Sequence, residues 1–323
     1  MILVTGGAGF IGSNIVLDLA RRGARVVVCD LMRAGEKWRN LAAAALDDLI
    51  RPEVLSDWLA CHRRRLAAIV HMGAISSTTE ADIDRVVAAN IRLSLDLWEW
   101  CAQNRVRLVY ASSAATYGDG AAGFADDASP QALARLAPLN AYGWSKHLVD
   151  RRIAADVAAG RPSPPQWAGL KFFNVYGVNE AHKGPMQSVA SKILPVVEAG
   201  GTVTLFKSHD PRYPDGGQLR DFVYVEDCVA IVRWLLANPQ VGGLFNAGSG
   251  AARSFADLVA AVGAAVGREP QVRYVDTPPE IRGKYQYFTQ ADMAKLRRAG
   301  FAEPLHSLED GVRDFVRRAR GRG

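Results

Sequence analysis

The sequence has no apolar run approaching the roughly 20 residues that a membrane-crossing helix requires. No export signal precedes the first structural run at Ile2, so a soluble, cytoplasmic protein is expected. Cysteine is scarce: Cys29, Cys61, Cys101 and Cys228 are the full set. None stands at metal-ligand spacing from another, and each lies in or beside an apolar run. Buried free thiols in a reducing compartment follow from that pattern, and no metal site does. Neither sign of charge dominates, since 39 Lys and Arg against 33 Asp and Glu leave +6 on 323 residues. So small an excess suits a solvated surface around a site for an anionic small molecule as well as it suits weak nucleic-acid affinity. The basic tail of Arg317, Arg318, Arg320 and Arg322 follows a helical pattern without interleaved aromatics. It reads as a solvated terminus, and neither a nucleic-acid partner nor membrane insertion is expected. No internal repeat is visible.

What is present is ample apolar material, 49% of the chain, enough for one large core or two fused smaller ones. Strand-like runs occur at Ile2 to Val4, ARVVVCD, LAAIVHMG, RVRLVYASS and WAGLKFFNVYG. Helical stretches lie between them, around Leu41 to Leu66, Asp82 to Gln103 and Tyr142 to Ala159. Strands apolar on both faces and separated by helices predict a parallel sheet covered on both sides. The second half carries short strands at VTLF, DFVYV and QVRYVD, with helices near Asp227 to Leu236, Phe255 to Val266 and through Val312 and Phe315.

Gly6, Gly9 and Gly12 form G-x-x-G-x-x-G between the first strand and the first helix, and Asp30 ends the next strand. The glycines allow a tight turn and close approach of a pyrophosphate, and the helix start offers free N–H groups to it. With strand, helix and acid in place this is a dinucleotide-binding fingerprint. The expected class is therefore α/β, a Rossmann-type parallel sheet with helices on both faces and a smaller, discontinuous C-terminal substrate lobe. Residues 1–175 would be mainly dinucleotide-binding and 176–323 mainly substrate-binding, with segments near 220–248 returning to the main domain. Asp30 suits a ribose hydroxyl and hence NAD, whereas Arg33, Lys37 and Arg39 suit a 2′-phosphate and hence NADP. The pattern leaves both open and leans to NADP.

Tyr142 and Lys146 stand four apart at a helix start, which puts them on one face, one turn from each other. A neighbouring ammonium favours the phenolate, so such a pair can take a proton from an alcohol while hydride leaves its carbon. Ser113 ends a strand at the carboxyl edge where open sheets bind ligands, with Ser112 as its competitor for orienting the reacting oxygen. Lys183, in the polar loop GVNEAHKGPM, lies near the same edge. By itself a loop lysine faces solvent, and so does its neighbour His182.

TGGAGFIG, YASSAATYG, YGWSK and RDFVYVEDC resemble the extended short-chain dehydrogenase/reductases, over almost the whole chain. ISSTTE, FFNVYGVNEAHKG and KYQYFTQADM are similar, more narrowly, to members that invert carbon 6 of an ADP-linked glycero-manno-heptose. The resemblance implies transient oxidation to a ketone and re-reduction on the opposite face, with Tyr142 and Lys183 as the two proton-handling groups. It further implies Lys146 as support for the tyrosine and Ser113 beside the reacting hydroxyl. Carried over as cofactor contacts are Phe10, Ile11, Asp30, Lys37, Ala74, Asn90, Lys146 and Val175, and as substrate contacts Ser76, Asn174, Lys183, Arg220 and Tyr285. One NADP per subunit (NAD remaining possible), kept through turnover, and a homo-oligomer are implied as well. The chain departs from the pattern at Leu31, Pro185 and Lys192, and its segment before Arg220, FKSHDPRYPDGGQLRD, is longer than usual. A 4-epimerase of the same superfamily, which would not need Lys183, is the alternative, ahead of an inactive NAD(P)-binding protein. A 4,6-dehydratase would carry an acidic pair after the serine, where this chain has Ala114 and Ala115.

Overall fold

The computed structural model describes residues 1–33, 35–282 and 286–321. Its strands in the first half are β1 (Ile2–Thr5), β2 (Val26–Cys29), β3 (Asp48–Ile50), β4 (Ala68–His71), β5 (Arg107–Ser113) and β6 (Trp167–Phe172). There follow β7 (Asn174–Tyr176), β8 (Thr202–Phe206), β9 (Leu219–Tyr224), β10 (Gly243–Ala247), β11 (Ala252–Ser254) and β12 (Gln271–Val275). Seven of them form one all-parallel sheet in the order β10-β6-β5-β4-β1-β2-β3. Alternation of side chains explains why these strands are apolar throughout. Leu3, Val27, Ile69 and Leu108 point to one core, with Leu59, Leu97, Trp98 and Ile153 from the covering helices. Val4, Val28, Val70 and Val109 point to the other, against Ile15, Val16, Ile231 and Leu235.

The remaining strands form a three-stranded sheet, β11-β9-β7, and a two-stranded one, β12-β8. The helices Val189–Glu198, Phe255–Val266 and Leu308–Arg320 close over a third apolar cluster that includes Ile193, Leu205, Phe222, Val259 and Phe315. The basic residues of the last helix are laced to acids: Arg317 to Asp314, Arg318 to Glu226 and Arg320 to Glu198. No helix among the described residues is long and apolar enough to cross a membrane.

Three expectations need correction. The stretch Leu41 to Leu66 is not one helix: a 3-10 turn Lys37–Leu41, β3 and a helix Leu55–His62 share it. A three-residue strand at the sheet edge is too short to show its own alternation, and its place is set by pairing with β2. The run WAGLKFFNVYG is split at Phe173, with β6 in the large sheet and β7 in the small one. Cys29, Cys101 and Cys228 are buried free thiols, but Cys61 is exposed. Its helix buries Leu55 and Leu59, one turn apart, and Cys61 falls off that face.

Candidate active site

The glycine turn follows β1 directly. Gly6 takes φ 63°, and a side chain there would strike the backbone of Gly73. Gly12 has no more room, since a Cβ would meet Gly6 itself. Gly9 is the N-cap of the helix Phe10–Arg21, and no side chain caps that end. A glycine-walled turn leading into an uncapped helix start fits a pyrophosphate, both by space and by dipole. Asp30, at the end of β2, is buried and accepts hydrogen bonds from Ala8 N–H (2.8 Å), Leu31 N–H (2.7 Å) and Lys37 Nζ (2.5 Å). Lys37 thus brings a cation to the residue expected to meet the cofactor ribose.

The loop after β4 carries Ala74, half-buried, and Ser76, exposed. It is held by Asn90, whose side chain accepts from Ile75 N–H (2.8 Å) and donates to Ile75 O (2.9 Å), as a neighbouring strand would. Asn90 sits in a π-helical turn, Val87–Arg92, and also donates to Ser145 Oγ at 3.0 Å. Its amide is therefore spent on shaping the loop and on the helix that carries Tyr142. Beneath, buried His71 spans Thr5 Oγ1 (2.6 Å) and Ser94 Oγ (2.9 Å). Burial, helped by the charge of Lys146, pushes the His71 pKa down to about 3, so it is neutral.

Tyr142 and Lys146 lie in the helix Ala141–Ala158, which Asn140 caps by accepting from Gly143 N–H at 2.8 Å. Ser113 acts on the Tyr142 phenol, lowering its pKa, and accepts from Ala115 N–H at 3.1 Å. Ser112, on the opposite face of β5, instead donates to Asp150 at 2.7 Å. Of the two serines, only Ser113 faces the tyrosine. Burial raises the Tyr142 pKa above its ordinary value, and Ser113 pulls against that. Lys146, expected to lower that pKa, is itself buried and donates to Ala111 O at 2.8 Å. Burial takes the Lys146 pKa down to about 8, with Asp150 opposing.

Lys183 lies in the 3-10 segment Ala181–Met186, half-buried, with Nζ 5.2 Å from the centre of the Phe10 ring. It is not the solvent-facing side chain that a loop lysine usually is. Burial lowers its pKa, Glu180 opposes this, and Lys192 adds to it. Ile11, next to Phe10, is half-buried at the same helix start. Asn174 and Val175 lie on β7, paired with β9, which carries Arg220. Arg220 is buried, donates to Leu219 O at 2.8 Å and stands 5.6 Å over the Phe255 ring. Tyr285 lies outside the described residues. The structure thus joins Ser113 to Tyr142 and Lys183 to the cofactor turn, while Asn174, Val175 and Arg220 share the smaller sheet.

Two residues of this neighbourhood escape a reading of the sequence. Asp150, one turn beyond Lys146, accepts from Tyr110 (3.0 Å), Ser112 (2.7 Å) and Lys171 (2.9 Å). Lys171, fully buried on β6, also donates to Thr116 Oγ1 at 2.6 Å. The i, i+4, i+8 spacing of Tyr142, Lys146 and Asp150 was the available signal, but nothing in the chain order pairs Asp150 with Lys171.

The model of the NAD dependent epimerase/dehydratase family matches residues 2–248. The chain is 48% identical over 322 residues to an ADP-L-glycero-D-manno-heptose-6-epimerase of Nitratidesulfovibrio vulgaris, covering 98% of this chain and 97% of that one. Among solved structures, that of the Helicobacter pylori ADP-L-glycero-D-manno-heptose-6-epimerase is similar with a TM-score of 0.80 at 29% identity, covering 99% of this chain and 96% of the other. That of the Thermus thermophilus UDP-glucose 4-epimerase complexed with NAD is similar with a TM-score of 0.76 at 28% identity, covering 99% of both.

Proposed function

Because the chain belongs to the NAD dependent epimerase/dehydratase family, we propose that it inverts carbon 6 of the heptose in ADP-D-glycero-β-D-manno-heptose, giving ADP-L-glycero-β-D-manno-heptose. The observation that carries the substrate is the near full-length identity to a relative of that name, well above the identity to the 4-epimerase. The reaction class is supported by Tyr142 with Ser113 at one strand end and a half-buried Lys183 over the cofactor turn.

A bound nicotinamide would supply the hydride chemistry at carbon 6. Ser113 holds the sugar hydroxyl and the Tyr142 phenol in one hydrogen-bonded set. Tyr142 exchanges the hydroxyl proton on one face of the carbon, and Lys183 does so on the other. Inversion needs both, because the ketone must take hydride back on its opposite face and the new alkoxide must be protonated there. Lys146, still charged at neutral pH, favours the phenolate when Tyr142 gives up its proton. Arg220 grips the diphosphate through its guanidinium. Asn174 and Val175 on the smaller sheet, Ser76 on the β4 loop and Tyr285 complete the substrate and cofactor contacts.

The cofactor is NADP rather than NAD. Asp30 already accepts three hydrogen bonds, one from Lys37, and the pair offers a cation where a 2′-phosphate would sit. It stays bound through turnover, and the subunits form a homo-oligomer in the cytoplasm, where the three buried thiols remain reduced.

The test is to incubate the purified protein with ADP-D-glycero-manno-heptose and, separately, with UDP-glucose, and to resolve the epimers formed. Inversion of the heptose alone supports this reading; inversion at carbon 4 of glucose without action on the heptose overturns it.

A further inference from the structure

We propose that Asn40 is a positioning residue that straps the Lys183 loop to the cofactor turn, and that proton handling by Lys183 depends on this strap. The proposal rests on the role given to Lys183 above. Asn40 lies in the 3-10 turn Lys37–Leu41, where residues three apart stand in line on one side. Lys37 from that side reaches Asp30. Asn40 from the same side extends Nδ2 toward Ala8 O (2.9 Å), Asn179 O (3.1 Å) and His182 Nδ1 (3.2 Å). One amide therefore bridges the glycine turn and a loop some 140 residues further along the chain. Its two N–H groups are shared among three acceptors, which no acceptor-only side chain could replace.

Neighbouring bonds show that this is a built junction. Asn14 Nδ2 donates to Val178 O at 3.0 Å, and Asn179 Nδ2 donates to Ser13 Oγ at 3.0 Å. Asn179 itself adopts φ 75°, a left-handed conformation that asparagine tolerates better than most residues. On the loop's far side, buried Glu180 accepts from Ser188 N–H (2.6 Å), Ser188 Oγ (2.5 Å) and Ser191 Oγ (2.6 Å), which fixes it to the helix Val189–Glu198. Lys183 N–H donates to Glu180 O at 2.9 Å, so the lysine leaves a backbone held from two directions. Removing Asn40 leaves the Asn14, Asn179 and Glu180 bonds intact. The loop should then stay folded while Lys183 loses its registration over Phe10. Reacting groups displaced by about 1 Å lose on the order of 10²-fold in rate.

The two epimers provide a readout that general loosening would not mimic. Each hands its hydroxyl proton to a different residue during oxidation, so a defect confined to Lys183 slows cofactor reduction by one epimer and spares the other. Rapid-mixing measurements of nicotinamide reduction, with each carbon-6 epimer of the ADP-heptose supplied separately, would compare the wild type, Asn40→Asp, Asn40→Ala and Lys183→Met at matched cofactor occupancy. Lys183→Met should slow one epimer selectively, and both Asn40 variants should slow that same epimer by about 10- to 100-fold. Equal slowing of both epimers, or no slowing, in the Asn40 variants while Lys183→Met remains selective would overturn the strap. If Lys183→Met slows both alike, the role of Lys183 fails first, and the strap fails with it. Should the aspartate variant not fold, the alanine variant, which puts no charge near Asp30, decides the matter.

Discussion

In the proposed mechanism Tyr142 enters the reaction carrying its proton, since burial holds the phenol above its ordinary pKa. Ser113 works against that. Tyr142→Phe keeps the ring and the helix but removes the exchangeable proton. Epimerisation should fall by about 10²- to 10⁴-fold, measured as kcat, with cofactor affinity unchanged. Near-normal turnover would remove the tyrosine from the chemistry. Buried His71, at the end of β4, offers a test of stability instead. Its pKa is about 6.5 in an unfolded chain and about 3 in the folded one. Below pH 6.5 the unfolded chain takes up a proton there that the folded protein refuses, so this contribution is whole above pH 6.5 and drains away toward pH 3. Denaturant titrations across that range should show a shallower pH dependence for His71→Asn than for the wild type, and parallel curves would contradict it. At this scale the sequence was informative about identity and less so about state. Tyr142, Lys146 and Ser113 are recognisable from motif and spacing and Lys183 only through the family resemblance, whereas the direction of the Tyr142 shift depends on burial that only the fold supplies.

The helix Ala141–Ala158 is the element that most needs rigid placement. It carries Tyr142, Lys146 and Asp150 along one side, and the buried pair of Asp150 with Lys171 ties it to β6. Lys171→Met would leave Asp150 charged and buried without its cation. Urea unfolding should register a loss of about 3–5 kcal/mol, and a change within a few tenths of that scale's unit would show the pair to be dispensable. Nothing in chain order foretold this tie, since 21 positions separate the partners and their meeting is a consequence of sheet order. Elements with long, strong periodicity were legible: the helix Phe255–Val266 and the strand Gln271–Val275 lie where the pattern puts them. Short ones were not. β3 has three residues, and β7 continues the apolar run of β6 with no punctuation that marks the change of sheet.

At the scale of the whole molecule, two sheets hold the candidate residues. The large parallel sheet presents the glycine turn, Asp30 and Ser113 at its carboxyl edge, and the smaller one brings Asn174, Val175 and Arg220. Its seventh strand, β10, comes from the C-terminal half and pairs with β6, so the chain crosses between the two parts more than once. In the proposed mechanism Arg220 binds the diphosphate and takes no part in the reaction. Arg220→Met should raise KM for the ADP-sugar about tenfold or more, the equivalent of ~1.4 kcal/mol, with kcat changed far less. Steady-state kinetics with the ADP-heptose checks this, and a selective loss of kcat would assign the arginine to the reacting end instead. The parallel architecture was legible because apolar strands alternating with helices allow few other arrangements.

The central claim is that carbon 6 gives its hydride to a bound nicotinamide and receives the same one back. Supplying ADP-heptose labelled with deuterium at carbon 6, in ordinary water, and analysing the inverted product by mass spectrometry and NMR tests it directly. The label should remain at carbon 6 of the epimer; its replacement by solvent hydrogen would mean that the carbon is inverted by proton exchange, without the cofactor.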